Sequence, residues 1–156
     1  MTTSDINRRA FLAVAGLGTA SIVGLPGPIE AADLTPSEKA NVALVTDMCR
    51  AWVAPVDFDK VGAFLADDCV FRASETSPPI KGRQAIVEAL KKMLGSPSKA
   101  EFEVVQTFAR GSVVVNERFD RFTMPKRNID WHGVGVFIVR DGRIAEWSDF
   151  TIRANS

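Results

Sequence analysis

The chain has 156 residues, 46% of them apolar, and its 19 basic side chains are balanced by 19 acidic ones. That balance excludes the broad basic surface that nucleic acid or an anionic membrane requires. With two cysteines and one histidine, no zinc or iron-sulfur ligand set is available.

The first 32 residues differ from the rest. Paired Arg8 and Arg9 precede Phe11 and Leu12, then a weakly apolar run rich in Ala and Gly, then Pro26 and Pro28. This pattern resembles a twin-arginine export signal, cleaved near Ala31 or Ala32. The run is broken by Gly16, Gly18 and Gly24 and is short for the ~20 residues of a membrane span. Residues 1–32 are therefore read as the signal and 33–156 as the mature domain, periplasmic or secreted, with no membrane segment in the mature form; an uncleaved anchor is the alternative, since Ile29 and Glu30 make a poor cleavage site. Removing Asp5, Arg8, Arg9 and Glu30 leaves the domain neutral. An oxidising destination permits a disulfide between Cys49 and Cys69, but spacing alone does not bring them together, and buried free thiols remain the alternative.

Helices come first. Thr35, Pro36 and Glu38 form an N-cap, a first-turn proline and a capping-box acid. Val42, Val45, Cys49 and Trp52 then make one apolar stripe, predicting a long helix that ends near Ala54 and Pro55. Asp57 caps a shorter helix with Val61, Phe64 and Leu65 inward. Cys69 to Ala73 reads as a short strand. After Pro78 and Pro79, Gly82 to Leu94 reads as a third helix, with Ile86, Leu90 and Met93 or Leu94 inward, Lys91 and Lys92 outward, and Gly95 as its stop.

Four strands follow, at about 101–109, 112–124, 129–140 and 143–152. Helices followed by strands argue an α+β fold: a cone-shaped, curved antiparallel sheet packed by three helices and enclosing a pocket. Asp141 and Gly142 mark a two-residue hairpin turn. Counting back from Arg140 opposite Arg143 pairs Ile138 with Ala145, Val136 with Trp147, Val134 with Asp149 and His132 with Thr151. Trp147, Val134, Val136 and Ile138 are thereby expected to line the pocket with Asp149, and His132 to sit at its rim. Trp52 and Trp131 read as core or dimer contacts, and Glu75 as a solvated residue near the mouth.

The stretch NERFDRF, residues 116 to 122, puts charges on an apolar strand, either as a clamp that braces the cone or as groups that do chemistry. Alternation puts Asn116, Arg118, Asp120 and Phe122 on one face. Arg118 and Asp120 lie about 7 Å apart along the strand, and an arginine fork can hold Asp149 as well. Burial and mutual repulsion raise the proton affinity of one carboxylate while the cation holds the other down. One acid and one base then coexist near neutral pH, which is what opening a strained ring with water requires.

ERFD at 117–120, GVFIVRDGRIAEWSDF at 135–150 and DDCVFRASETSPPIKGRQAI at 67–86 together resemble the limonene-1,2-epoxide hydrolases. That family shares a cone-shaped fold with ketosteroid isomerases and SnoaL-type polyketide cyclases. The resemblance implies a bridging role for Arg118, a general acid in Asp120, a water-activating base in Asp149 and a pocket tryptophan in Trp147. It further implies no metal or organic cofactor and a homodimer. The family's water-holding tyrosine and asparagine align with Phe71 and Ala73, and the chain contains no tyrosine. Asn116 is then the remaining side chain on that face able to help hold a water. The expected activity is cofactor-independent hydrolysis of a small apolar epoxide. The rival readings are a SnoaL-type isomerase, cyclase or dehydratase that needs no attacking water, and an exported binder of hydrophobic molecules without catalysis.

Overall fold

The computed structural model describes residues 33–152; the predicted export signal lies outside the described residues. Helix α1, Pro36–Arg50, starts at the predicted capping box. Thr35 Oγ1 accepts from Glu38 N at 3.3 Å, and Glu38 Oε2 accepts from Thr35 N at 2.8 Å. Glu38 also accepts from Gly111 N at 2.7 Å, fastening the helix to a distant hairpin turn. The Gly111 and Thr35 hydrogen bonds hold its carboxyl down at about 2. The helix stops at Arg50, earlier than its apolar stripe suggests, and Trp52 is buried beyond its end.

Helix α2, Phe58–Gly62, is capped by Asp57, whose Oδ1 accepts from Lys60 N at 2.9 Å. It is so short that Leu65, expected on its inner face, instead begins strand β1, Leu65–Arg72. Strand β2, Ile80–Lys81, pairs antiparallel with β1. Helix α3, Arg83–Leu94, buries Ile86, Val87, Leu90 and Leu94 and ends at Gly95, which takes the positive φ of 59° that glycine tolerates. Lys91 reaches across to Asp59 of α2.

Strands β3 (Lys99–Arg110), β4 (Val113–Thr123), β5 (Asn128–Arg140) and β6 (Arg143–Thr151) form a continuous antiparallel meander. The sheet order is β2-β1-β6-β5-β4-β3, and β1 joins β6 in the one parallel pairing of an otherwise antiparallel sheet. Helix α1 packs on β3 and β4, and α3 on β1. Val45, Met48 and Trp52 meet Val114, Phe122, Phe137 and Trp147 in the core. This α+β arrangement of three helices on a sheet is the one expected from the sequence, but the sheet is mixed rather than wholly antiparallel, because β1 runs parallel to β6.

The β5–β6 register departs from expectation. Arg140 faces Arg143 and Val139 faces Ile144, but Ile138 then faces Glu146, leaving Ala145 as an extra residue. Ile144 and Ala145 are both buried, two consecutive inward residues where a regular strand has one. Beyond this bulge Phe137 faces Trp147, Val136 faces Ser148, Gly135 faces Asp149 and Val134 faces Phe150. Val134, Val136 and Ile138, predicted to line the pocket, therefore sit half-buried on the opposite face of the sheet. His132 shares that face, stacked on Phe119 at 4.2 Å with Nε2 2.8 Å from Glu117 Oε1, and is not at the pocket rim.

Candidate active site

The bulge decides whether the charges meet. In the β4–β5 ladder Glu117 faces Val134 and Asn116 faces Gly135. Without the extra residue Asp149 would oppose Val134 and share the face of Glu117; with it, Asp149 opposes Gly135 and shares the face of Arg118. One inserted alanine thus delivers the second carboxylate to the guanidinium.

Arg118 is fully buried, and each of its nitrogens has a partner. Nε donates to Asp120 Oδ1 at 2.9 Å, Nη2 to Asp149 Oδ1 at 2.8 Å and Nη1 to Asn116 Oδ1 at 3.0 Å. The guanidinium also lies 4.9 Å from the Phe102 ring and 5.1 Å from that of Trp131, contacts favourable to a desolvated cation. Its room is made by glycine. A Cβ on Gly135 would lie 2.7 Å from the Phe137 ring and 2.9 Å from Asn116 Oδ1, and closer still to Arg118 Nη1.

The two carboxylates differ in their donors. Asp149 Oδ1 accepts from Arg118 and from Trp147 Nε1, the latter at 2.8 Å, whereas Asp120 Oδ1 accepts from Arg118 Nε. Burial pushes the Asp120 carboxyl up to about 7; Arg118 opposes that shift and the neighbouring Asp149 adds to it. Burial raises Asp149 too, against the pull of Arg118 and Trp147. Burial works against the charge of Arg118, but Asp149 and Asp120 more than offset it and keep it protonated. Two N–H donors on one oxygen of Asp149 oppose the effect of burial there, where Asp120 Oδ1 has one.

Both carboxyls line a cavity of about 150 Å³. Its remaining lining side chains are apolar, among them Trp52, Phe71, Phe102, Phe122, Trp131 and Trp147. The indole N–H groups are turned elsewhere: Trp52 to Met48 Sδ, Trp131 to Thr151 Oγ1 and Trp147 to Asp149. Asp120 and Asp149 thus supply the polar side chains of this lining. Met93, half-exposed, stands at the outer end beside buried Leu94.

Phe71 and Trp147 line the cavity, their ring centroids 4.5 Å apart, and so does Ala73. Asn116 does not. It is buried beneath Arg118, its Oδ1 engaged by Nη1 and its Nδ2 donating to Cys49 Sγ at 3.4 Å, which leaves it no part in the lining where it was expected to hold a water. Trp131, read from sequence as a core or dimer residue, faces Asp120 across the ladder and lines the cavity, as does Trp52. The signal for Trp131 was its alternation with Gly133, Gly135 and Phe137, large residues flanking two glycines on one face. Glu75 accepts from Thr151 N at 2.8 Å. Cys49 and Cys69 are buried and free, and burial lifts the Cys49 thiol to about 11. Among the described residues no three His, Cys, Asp or Glu side chains cluster as metal ligands, and no helix is long and apolar enough to cross a membrane.

A helix-backed sheet thus carries an arginine-bridged carboxylate pair in the wall of an apolar cavity. The chain belongs to the SnoaL-like domain family, whose pattern it matches over residues 45–147. It is 34% identical over 94 residues to the epoxide hydrolase EphG of Mycobacterium tuberculosis, a match spanning 60% of this chain and 62% of that relative. A solved limonene-epoxide-hydrolase-like epoxide hydrolase of M. tuberculosis is 29% identical, with TM-score 0.65 over 75% of this chain and 86% of the other. A SnoaL-like polyketide cyclase fold from Jannaschia sp. CCS1 superposes with TM-score 0.66 at 18% identity, covering 76% of this chain and 90% of its own. The last likeness is one of fold alone.

Proposed function

We propose that this protein adds water to a small apolar epoxide without a cofactor. The observation that carries the reading is one buried guanidinium holding both Asp120 and Asp149 where they reach an otherwise apolar cavity. In this reaction Asp149 takes a proton from water while the water oxygen forms a bond to an epoxide carbon. That carbon's bond to the ring oxygen breaks, and Asp120 delivers its proton to the leaving oxygen, so epoxide and water become a diol. Asp149 ends protonated and Asp120 ionised, and exchange with solvent restores the pair. Arg118 holds the carboxylates at fixed distances and keeps one negative charge compensated throughout.

The likeness to proteins named epoxide hydrolases supports this reading, as does the apolar lining. The test is turnover of limonene oxide or cyclohexene oxide in ¹⁸O-labelled water. A diol carrying one label is expected, with the yield abolished by Asp120→Asn; turnover that survives this substitution would remove Asp120 as the acid.

One observation favours a second reading. Phe71 and Ala73, which the resemblance aligns with the hydrolases' water-holding pair, line the cavity without a polar group, and Asn116 is occupied elsewhere. A SnoaL-type isomerisation or cyclisation, in which an aspartate shuttles a proton and water stays out, needs no such pair. Conversion of the epoxide to an unlabelled isomer would select it.

A further inference from the structure

The site carries an unbalanced charge. When both are ionised, Asp120 and Asp149 contribute two negative charges and Arg118 one positive. The elements around Asp120 supply nothing more: β3 presents Phe102, β5 Ile129 and Trp131, β1 Phe71, and α3 Leu90, Met93 and Leu94. Lys91 of α3 is paired with Asp59. Cys49 of α1 lies behind Asn116 with its thiol held protonated by burial. A single uncompensated charge in an apolar cavity is costly. At acidic pH the proton on Asp120 removes it; at alkaline pH no side chain of the lining does.

We propose that this cavity binds small apolar ammonium ions, the cation supplying the positive charge that the two carboxylates lack. Its N–H donors meet acceptor oxygens of Asp120 and Asp149, since an ionised carboxylate offers acceptors only, and its hydrocarbon body meets the indole and phenyl rings. Anions are rejected despite the arginine, because Nε, Nη1 and Nη2 are already engaged and Arg118 is fully buried. The guest is small: an apolar cavity of about 150 Å³ takes a benzene-sized molecule, which points to a six-membered ring bearing one amine. The inference rests on the same three side chains as the epoxide reading but on no turnover, so the two fail separately.

Calorimetric titration of the protein with cyclohexylammonium chloride, cyclohexanol and sodium cyclohexanecarboxylate between pH 5 and pH 8 tests it. The amine stays charged throughout, as an alkylammonium with a pKa near that of lysine, about 10.4. Its affinity should rise about tenfold per pH unit up to about pH 7 and then level off, because binding competes with the Asp120 proton. Cyclohexanol should gain no affinity as pH rises, and the carboxylate should not bind at all. In Asp120→Asn the ammonium should lose at least tenfold in affinity, while measurable binding of cyclohexanol verifies an intact cavity. Ammonium affinity that is flat across the series, or no tighter than cyclohexanol at pH 8, would overturn the proposal. Because the pH series uses the unaltered protein, that outcome stands even if the variant fails to fold. Epoxide turnover without ammonium binding would remove this inference and leave the hydrolase reading in place.

Discussion

Gly135→Ala is the smallest change that reaches the centre of the charge cluster. The added methyl would lie 2.7 Å from the Phe137 ring and 2.9 Å from Asn116 Oδ1, with Arg118 Nη1 nearer than either, whereas ordinary contact begins at 3.4 Å. The guanidinium must therefore move by more than the 0.7 Å separating 2.7 from 3.4. Its Nη1–Asn116 bond of 3.0 Å then stretches beyond hydrogen-bonding reach, and the 2.8 Å bond to Asp149 is bent. One to two buried charge-assisted bonds at about 1.5–3 kcal/mol each give a destabilisation of about 1.5–6 kcal/mol. Backbone entropy works the other way, since alanine in place of a strand glycine stabilises by up to about 1 kcal/mol. Equilibrium urea unfolding at pH 7 measures the difference. A variant within 0.5 kcal/mol of the parent, with unchanged slope, would mean that Arg118 is not confined as described and that glycine is not required at this position.

Three further outcomes follow from the same cluster. Asn116→Leu keeps the volume but leaves Arg118 Nη1 without its partner, and should cost about 1–3 kcal/mol in urea unfolding; an unchanged midpoint would show the Asn116 contact to be dispensable. Stability should fall as pH rises from about 4 to about 7, because folded Asp120 keeps a proton that the unfolded chain has released, its carboxyl being raised to about 7 from 3.8. The slope approaches 1.4 kcal/mol per pH unit per proton. Asp120→Asn should reduce that slope, Asp149, which burial also raises, contributing in the same direction, and a slope unchanged in the variant would assign it to other groups.

Much of this site was legible in the sequence because it rests on periodicity. Asn116, Arg118 and Asp120 fall on one face by the period of two, Thr35 and Glu38 announce α1, and Gly95 ends α3 as a glycine should. Asp141 and Gly142 give the hairpin and its first two pairs. What alternation cannot reveal is a break in alternation. The extra residue at Ala145 moves every later pair by one, so Val134, Val136 and Ile138 leave the cavity face and Gly133, Gly135 and Phe137 take it. The adjacent apolar pair Ile144 and Ala145 was the local sign of that bulge, weak because a small alanine reads equally well inside or outside. The aromatic lining from Trp52, Phe102 and Trp131 was less legible still, since it depends on which strands become neighbours and where α1 lies over them.

The missing water-holding pair gives the most discriminating test of the proposed chemistry. Phe71 lies in register with Trp147, and its ring centroid is 4.5 Å from that of Trp147, whose N–H reaches Asp149. A hydroxyl carried at position 71 and an amide at 73 would add hydrogen-bonding groups to a lining whose polar side chains are otherwise Asp120 and Asp149. Orientation of the attacking molecule carries much of the rate in such additions, so Phe71→Tyr combined with Ala73→Asn should raise labelled diol formation at least tenfold if hydration is limited by an unheld water. The tyrosine O–H can hold a nucleophile without changing the charge of the cluster, so Asp120 should keep its pH dependence and the gain should appear in kcat. A double variant that folds, binds cyclohexanol as the parent does and still makes no more diol would show that water delivery is not what limits this site. The proton-shuttling reading would then be favoured.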